Sequence, residues 1–158
     1  MRLSYKLSKF QINEENSPKE YCSWNDIEVM IQQLSDLIIK SGKNYDSLLA
    51  INNGGIIPAR LLARELEIYD IQFIPFQNKI LLLEQMPSLV KNKQYLIIDD
   101  IYDTGLTFAK VFNKVKEYNC EFAFLMSRFI NPNAKLVAKI LNNKNWIVFP
   151  WEKKRYRS

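Results

Sequence analysis

Three aspartates and two threonines fall in the segment Asp99-Asp-Ile-Tyr-Asp-Thr-Gly-Leu-Thr107. Two adjacent carboxylates repel each other unless a cation or the hydroxyls of a sugar meet them. Asp103-Thr-Gly-Leu-Thr107 then opens a helix. Its first free amides, with the hydroxyls of Thr104 and Thr107, can wrap a phosphate in the field of the helix dipole. The chemistry this suggests is the binding of a sugar phosphate. A plain helix cap needs one Asp and one Thr, which leaves most of the cluster without a purpose. Other phosphate and cation motifs are absent. There is no GxGxxG and no GxxxxGK followed by Ser or Thr, and an EF-hand loop starting at Asp99 would reach Lys110 where it requires Glu.

A second loop, Asn52-Asn-Gly-Gly55, holds two of the chain's 4 glycines, and Gly105 sits in the first loop. Both loops lie where an apolar run hands over to a helical pattern. Glycine is used where backbone turns sharply or approaches a ligand, and the carboxyl ends of strands in an open α/β sheet are where ligands bind. The two loops therefore predict one shared site with two anionic subsites.

The composition limits what that site can do. The chain has no histidine, and its 2 cysteines, Cys22 and Cys120, are far apart. This removes a zinc centre of the Cys/His kind, a triad with a histidine base and a disulfide framework. Carboxylates, hydroxyls, amides, Lys and Arg must carry the chemistry. A net charge of +5 suits an anionic small substrate. The basic run Lys153-Lys-Arg-Tyr-Arg157 is read as a solvated tail, with no basic stripe of interleaved aromatics to mark nucleic acid as a partner. Met1 to Phe10 lacks the apolar core of a signal peptide, and no apolar stretch is long enough to span a membrane. A cytoplasmic protein is expected.

The elements that must position these loops follow from periodicity. Ile27, Met30, Ile31, Leu34, Leu37 and Ile38 give the apolar stripe of a helix starting near Trp24 and closed by Gly42. Ser47 to Ile51 reads as a strand buried on both faces. A helix with Pro58 near its start runs to about Leu66. Strands are expected at Ile71–Phe76, Gln94–Ile98 and Phe122–Met126. A helix is expected over Thr107–Tyr118, with Phe108, Val111, Phe112 and Val115 on one face. The alternation predicts a single α/β domain over residues 1–158, with a central, mainly parallel sheet flanked by helices. Residues 77 to 94 are too long for a simple connection. They read as a lid that shields the site from water, with Lys79 and Lys91 as candidate contributors, or as a surface loop.

Leu96-Ile-Ile-Asp-Asp-Ile-Tyr-Asp-Thr-Gly-Leu-Thr107 resembles the phosphoribosyl-pyrophosphate (PRPP) motif of the type I phosphoribosyltransferases. Leu49-Ala-Ile-Asn-Asn-Gly-Gly-Ile-Ile-Pro-Ala-Arg-Leu-Leu-Ala63 resembles the pyrophosphate loop and following helix of that family. Trp146-Ile-Val-Phe-Pro-Trp-Glu152 is similar to the C-terminal hood of its bacterial and archaeal xanthine-guanine and hypoxanthine members. The resemblance covers residues 23 to 152 in order.

The resemblance implies the type I phosphoribosyltransferase fold with a small hood, mainly residues 128–152. It implies transfer of ribose 5-phosphate from PRPP to a 6-oxopurine, with release of pyrophosphate, in purine salvage. Asp99 and Asp100 match the acidic pair that holds the ribose hydroxyls and Mg²⁺. Asp103 matches the proposed general acid/base near purine N7, and Asp103, Thr104, Gly105, Leu106 and Thr107 the 5′-phosphate loop. Asn53, Gly54 and Gly55 match the pyrophosphate loop. Trp146 matches the aromatic that stacks on the base, where an ordinary core aromatic is the alternative. Ile147 matches the residue whose backbone meets the base's exocyclic edge. Arg128 falls where relatives carry a Lys that contacts purine O6; a solvated cation at a strand end is the alternative. The implied partners are PRPP and a purine base, with a dimer or tetramer as the assembly. One departure stands out: relatives usually read Ser-Arg-Gly-Gly where this chain has Asn52-Asn53-Gly54-Gly55. Arg60, Lys79 or a second Mg²⁺ are candidate replacements for the missing Arg charge. The departure also leaves open a non-catalytic PRPP- or nucleotide-binding domain, or an enzyme for another base.

Overall fold

The order β-α-β-β-α-β expected from periodicity is what the chain adopts, with additions at both ends and a short hairpin in the long central connection. The computed structural model describes residues 14–130 and 134–152. The basic run 153–157 and the segment 1–10, for which solvation and the lack of a leader are expected, lie outside the described residues.

Ile27, Met30, Ile31, Leu34 and Ile38 form the buried stripe of α1, Trp24–Lys40. Leu37, expected on that stripe, is 40% exposed. The helix ends on Ser41, and Gly42 follows at φ +71 with its N–H on the Ile39 carbonyl.

β2, Ser47–Ile51, is buried at every residue and leads into α2, Ile56–Leu66. β3, Ile71–Ile74, stops one residue short of Pro75, which has no N–H to continue a ladder. Phe76–Gln77 and Ile80–Leu81 then form a separate antiparallel hairpin, β4 and β5. Its turn residues, Asn78 and Lys79, both have positive φ, the geometry of a two-residue hairpin turn.

β6, Gln94–Tyr102, α3, Leu106–Val115, and β7, Asn119–Ser127, follow. Both strands are longer than their apolar runs suggest. Phe112, expected on the buried face of α3, is 38% exposed, although its ring stacks on Phe108. β8, Leu136–Ile140, is an additional edge strand that periodicity does not mark.

The main sheet has the order β3-β2-β6-β7-β8, and every pair in it is parallel. One hydrophobic cluster joins α1 and α2 to one face; a second joins α3, with Phe76, Leu81, Met86 and Leu89 packed against it, to the other. A second, two-stranded sheet pairs β1, Lys19–Tyr21, with β9, Trp146–Val148. The hood is thus built from both ends of the described chain, while β8, within residues 128–152, belongs to the main sheet. Among the described residues no helix is long and apolar enough to cross a membrane.

Candidate functional site

β2 and β6 are neighbours in the sheet, yet β2 is followed by a helix on one face and β6 by a helix on the other. The chain therefore diverges between their carboxyl ends, the switch point at which open α/β sheets bind ligands. Ala50 is in register with Ile98, so the Asn52–Gly55 loop and the Asp99–Asp100 pair emerge at the same level.

They meet closely. A Cβ on Gly54 would lie 2.4 Å from Asp100 Oδ2, so any other residue here would have to push the Asp100 carboxylate aside. A cis peptide joins Asn52 to Asn53. The buried Asn52 Oδ1 accepts no hydrogen bond from the described residues, an unmet acceptor of the sort that a ligand satisfies. Gly55 caps α2, and its own N–H is committed to the Ile51 carbonyl at 2.8 Å. Arg60 lies exposed on α2, and Lys79 is exposed in the hairpin turn.

Asp99 is buried, and its Oδ1 accepts the Asp100 N–H at 2.9 Å; Asp100 Oδ1 accepts the Ile101 N–H at 2.7 Å. Desolvation, then the neighbouring Asp100 charge, push the Asp99 carboxyl well above the usual carboxylate range. Desolvation, with a contribution from Glu152, raises Asp100 to about 6. Glu152 is an acid near the site to which the sequence pattern gives no role. The pair is a fitting place for a hard cation: each carboxylate has one oxygen tied by an amide, and their mutual repulsion is relieved by positive charge. Among the described residues no cluster of three or more acidic, His or Cys groups exists to cage a metal alone. Mg²⁺ takes one or two carboxylates and completes its shell with substrate and water, so the chemistry of the pair itself fits that ion.

The Asp103–Thr107 segment makes the turn into α3. Gly105 has φ +83, and a Cβ there would come 2.5 Å from the Tyr102 hydroxyl. Gly105 is also the N-cap, so the N-cap residue has no side chain to bond the helix amides, and the first turn carries no acidic residue. A plain Asp/Thr cap is therefore not what the cluster forms. Thr104 Oγ1 accepts the Leu106 N–H at a long 3.3 Å. The remaining first-turn amides have no intrahelical acceptor.

Arg128 does not behave as a solvated cation. Its side chain is 6% exposed and its Nε donates to Asp103 Oδ1 at 3.0 Å. Its Nη1 and Nη2 donate to the carbonyls of Asn143, at 3.0 Å, and Asn145, at 2.6 Å. The residue expected to meet the base thus spends three donors on the protein.

In the hood, Trp146 is half-buried and has no ring partner among the described residues, whereas Trp151 stacks on Phe149 at 4.8 Å and lies 6.0 Å from Trp24. Trp146 N–H bonds to Pro18 O, and Cys22 N–H to Val148 O. Alternate residues of a strand point their backbone groups to opposite sides, so the N–H and C=O of Ile147 lie on the edge of β9 that no strand of the described residues covers, while its side chain is buried.

The expected lid is only partly free. Phe76, Leu81, Met86 and Leu89 pack against the core, and Tyr95 Oη accepts the Val90 N–H at 3.0 Å. The Asn119 side-chain amide holds the Lys91 carbonyl at 2.8 Å. What projects is the β4–β5 hairpin, with Ile80 59% exposed and the Lys79 carbonyl held by Lys110 Nζ at 2.5 Å.

Comparison with known proteins gives a consistent result. Residues 19–155 match the family model described as phosphoribosyl transferase domain. A xanthine-guanine phosphoribosyltransferase of Nitratidesulfovibrio vulgaris is 27% identical over 137 residues, covering 82% of each chain. The purine phosphoribosyltransferase of Pyrococcus horikoshii superposes with a TM-score of 0.66 at 25% identity, over 89% of this chain and 98% of that one. A hypothetical protein from Neisseria gonorrhoeae with bound ppGpp superposes with a TM-score of 0.69 at 22% identity, over 87% and 90% of the two chains.

Proposed function

Because this chain belongs to the phosphoribosyltransferase family, we propose that it transfers ribose 5-phosphate from PRPP to N9 of a 6-oxopurine (xanthine, guanine or hypoxanthine), in purine salvage. The observation that carries this reading is the contact between the two anion loops, Gly54 against the Asp100 carboxylate at one switch point. Such an arrangement holds both ends of a sugar bearing a phosphate and a pyrophosphate.

In the reaction the C1–O bond to pyrophosphate breaks, its electron pair leaves with pyrophosphate, the N9–C1 bond forms and the base loses a proton. The amides and hydroxyls from Asp103 to Thr107 hold the 5′-phosphate. Asp99 and Asp100 hold the ribose hydroxyls and would hold Mg²⁺, which when bound neutralises charge on the departing pyrophosphate. With the Gly55 amide committed to Ile51, the amides of Asn53 and Gly54 are the ones left for pyrophosphate. Asp103 handles the proton near N7. Trp146 offers its unoccupied face to the base, and the uncovered backbone edge of Ile147 reads the exocyclic groups. The hairpin shields the site. We place the protein in the cytoplasm, where its two free cysteines stay reduced, as a dimer or tetramer.

A second reading, binding of PRPP or a nucleotide without turnover, is favoured by Asn53 in place of the usual Arg and by the ppGpp bound to the Neisseria neighbour. Single-turnover release of pyrophosphate from Mg²⁺-PRPP with guanine, hypoxanthine or xanthine separates the two. PRPP binding with no release for any of these bases would sink the enzyme reading; release only with adenine or a pyrimidine would move the substrate class. Trp146→Ala should raise KM for the base about tenfold or more, from lost stacking, and leave KM for PRPP nearly unchanged. Equal rises in both would remove Trp146 from the base site.

A further inference from the structure

The turn just before Trp146 is gripped from two sides. From one side Arg128 takes its backbone: Nη1 and Nη2 donate to the carbonyls of Asn143 and Asn145 at 3.0 and 2.6 Å. From the other, Glu20 on β1 takes its side chains: Oε2 accepts the amides of Asn143 and Asn145 at 3.0 and 3.2 Å. The turn is closed internally by the Asn145 N–H on Asn143 Oδ1 at 3.0 Å, and Lys139 Nζ stands 3.9 Å from Glu20 Oε1. The same guanidinium donates to Asp103 Oδ1 at 3.0 Å. A planar guanidinium presents its donors in a fixed fork, so partners on two of its edges are held at a set separation. Ionised donors and acceptors also make the stronger class of hydrogen bond.

We propose that Arg128 and Glu20 form a clamp that sets the Trp146 platform at a fixed distance from Asp103. Both are positioning residues for base binding. This deepens the purine-transfer reading and rests on it for the role of Trp146. Three of the five guanidinium N–H groups of Arg128 face protein acceptors, two of them backbone carbonyls that a purine cannot displace without opening the turn. Arg128 therefore acts on the base through the turn and through Asp103. A lysine at this position supplies one ammonium on a flexible stem and cannot bridge all three acceptors.

The test is amide hydrogen exchange on the substrate-free full chain, with KM for the base and for PRPP measured separately, for Arg128→Ala, Arg128→Lys, Glu20→Ala and the double alanine variant. Exchange at Asn145, whose N–H bonds to Asn143 Oδ1, and at Trp146, whose N–H bonds to Pro18 O, should speed by about tenfold or more in each single alanine variant. KM for the base should rise by a similar factor, about tenfold, with PRPP changed by less than about threefold. Because both residues hold one turn, the double variant should do little more than the worse single one. Arg128→Lys should restore neither the exchange protection nor the base KM. Wild-type exchange in Arg128→Ala, or base-KM effects that multiply in the double variant, would overturn the clamp and return Arg128 to direct contact. If Arg128→Ala does not fold, the exchange rates of Glu20→Ala and Arg128→Lys decide the question in its place. If the wild type turns over no purine, the purine-transfer reading falls while exchange still tests the clamp.

Discussion

The start of α1 and the starts of α2 and α3 solve the same problem in opposite ways. At α1, Ser23 accepts the Asp26 N–H at 3.1 Å and Asp26 accepts the Ser23 N–H at 2.7 Å, a complete capping box. Those bonds from Ser23, backbone first, hold the Asp26 carboxyl below its usual range. At α2 and α3 the cap is glycine, which has no side-chain oxygen to offer, only Thr104 reaches a first amide, that of Leu106 at 3.3 Å, and no acid stands in the first turn. A helix begun without a cap forgoes about 1 kcal/mol. It also leaves donors and a positive dipole end for an anion. Where only stability is at stake the helix satisfies itself, and at the proposed site it starts without an N-cap side chain.

Substitutions that swap stability for charge break this contrast most visibly. Asp100→Asn removes one of two repelling carboxylates, the half-buried neighbour of the buried Asp99. It should weaken Mg²⁺-PRPP binding by about 10²-fold, judged from the worth of comparable charge contacts. The ligand-free protein should become more stable at the same time, by about 2–4 °C in Tm per kcal/mol gained. Calorimetry with and without Mg²⁺-PRPP shows both, and a drop in ligand-free Tm would contradict the repulsion.

Leu106→Asp gives α3 the first-turn acid that α1 has. The helix should gain about 0.3–1 kcal/mol, while the added charge should weaken PRPP binding by about tenfold or more. Unchanged affinity on titration would show that no phosphate sits at this end.

The pH dependence is a smaller effect with a definite sign. In the fold both Asp99 and Asp100 are raised from the ordinary carboxylate value of 3.8, Asp100 to about 6. Between about pH 4 and 6 the native state thus holds more protons than the unfolded chain, and stability falls as pH rises. The contribution is fully present below about pH 4 and lost by the time pH passes the folded values. Tm in Mg²⁺-free buffer should decline across this window, and the decline should be shallower in Asp100→Asn.

The smallest effect is expected at the capped end. Ser23→Ala should cost about 1 kcal/mol and leave both KM values unchanged. A change in KM would tie α1 to the site.

Much of this was legible from short-range pattern. The β2 and β6 runs are continuously apolar because both faces are covered, and the Asp99–Thr107 cluster announces itself by types that no buried strand or simple cap needs. Other features left no local mark. Leu136–Ile140 looks like a short apolar stretch because it is a half-covered edge strand, with a burial pattern running from intermediate to exposed. Lys19–Tyr21 is a strand only because Trp146–Val148 lies beside it. Arg128 at the end of β7 reads equally as a solvated cation, and only its surroundings bury it. Glu20 gives no signal, since its partner Asn145 is 125 positions away.

Local sequence was enough to set the elements that carry the site, the two glycine loops and the acid cluster between them, because helix periodicity, strand burial and turn chemistry depend on near neighbours. Which charges meet was left to the tertiary fold. The order of the sheet puts Gly54 against Asp100, and the pairing of β1 with β9 puts Glu20, Arg128 and Asp103 around one turn. Contacts of that kind depend on how the chain returns through space, which no local spacing records.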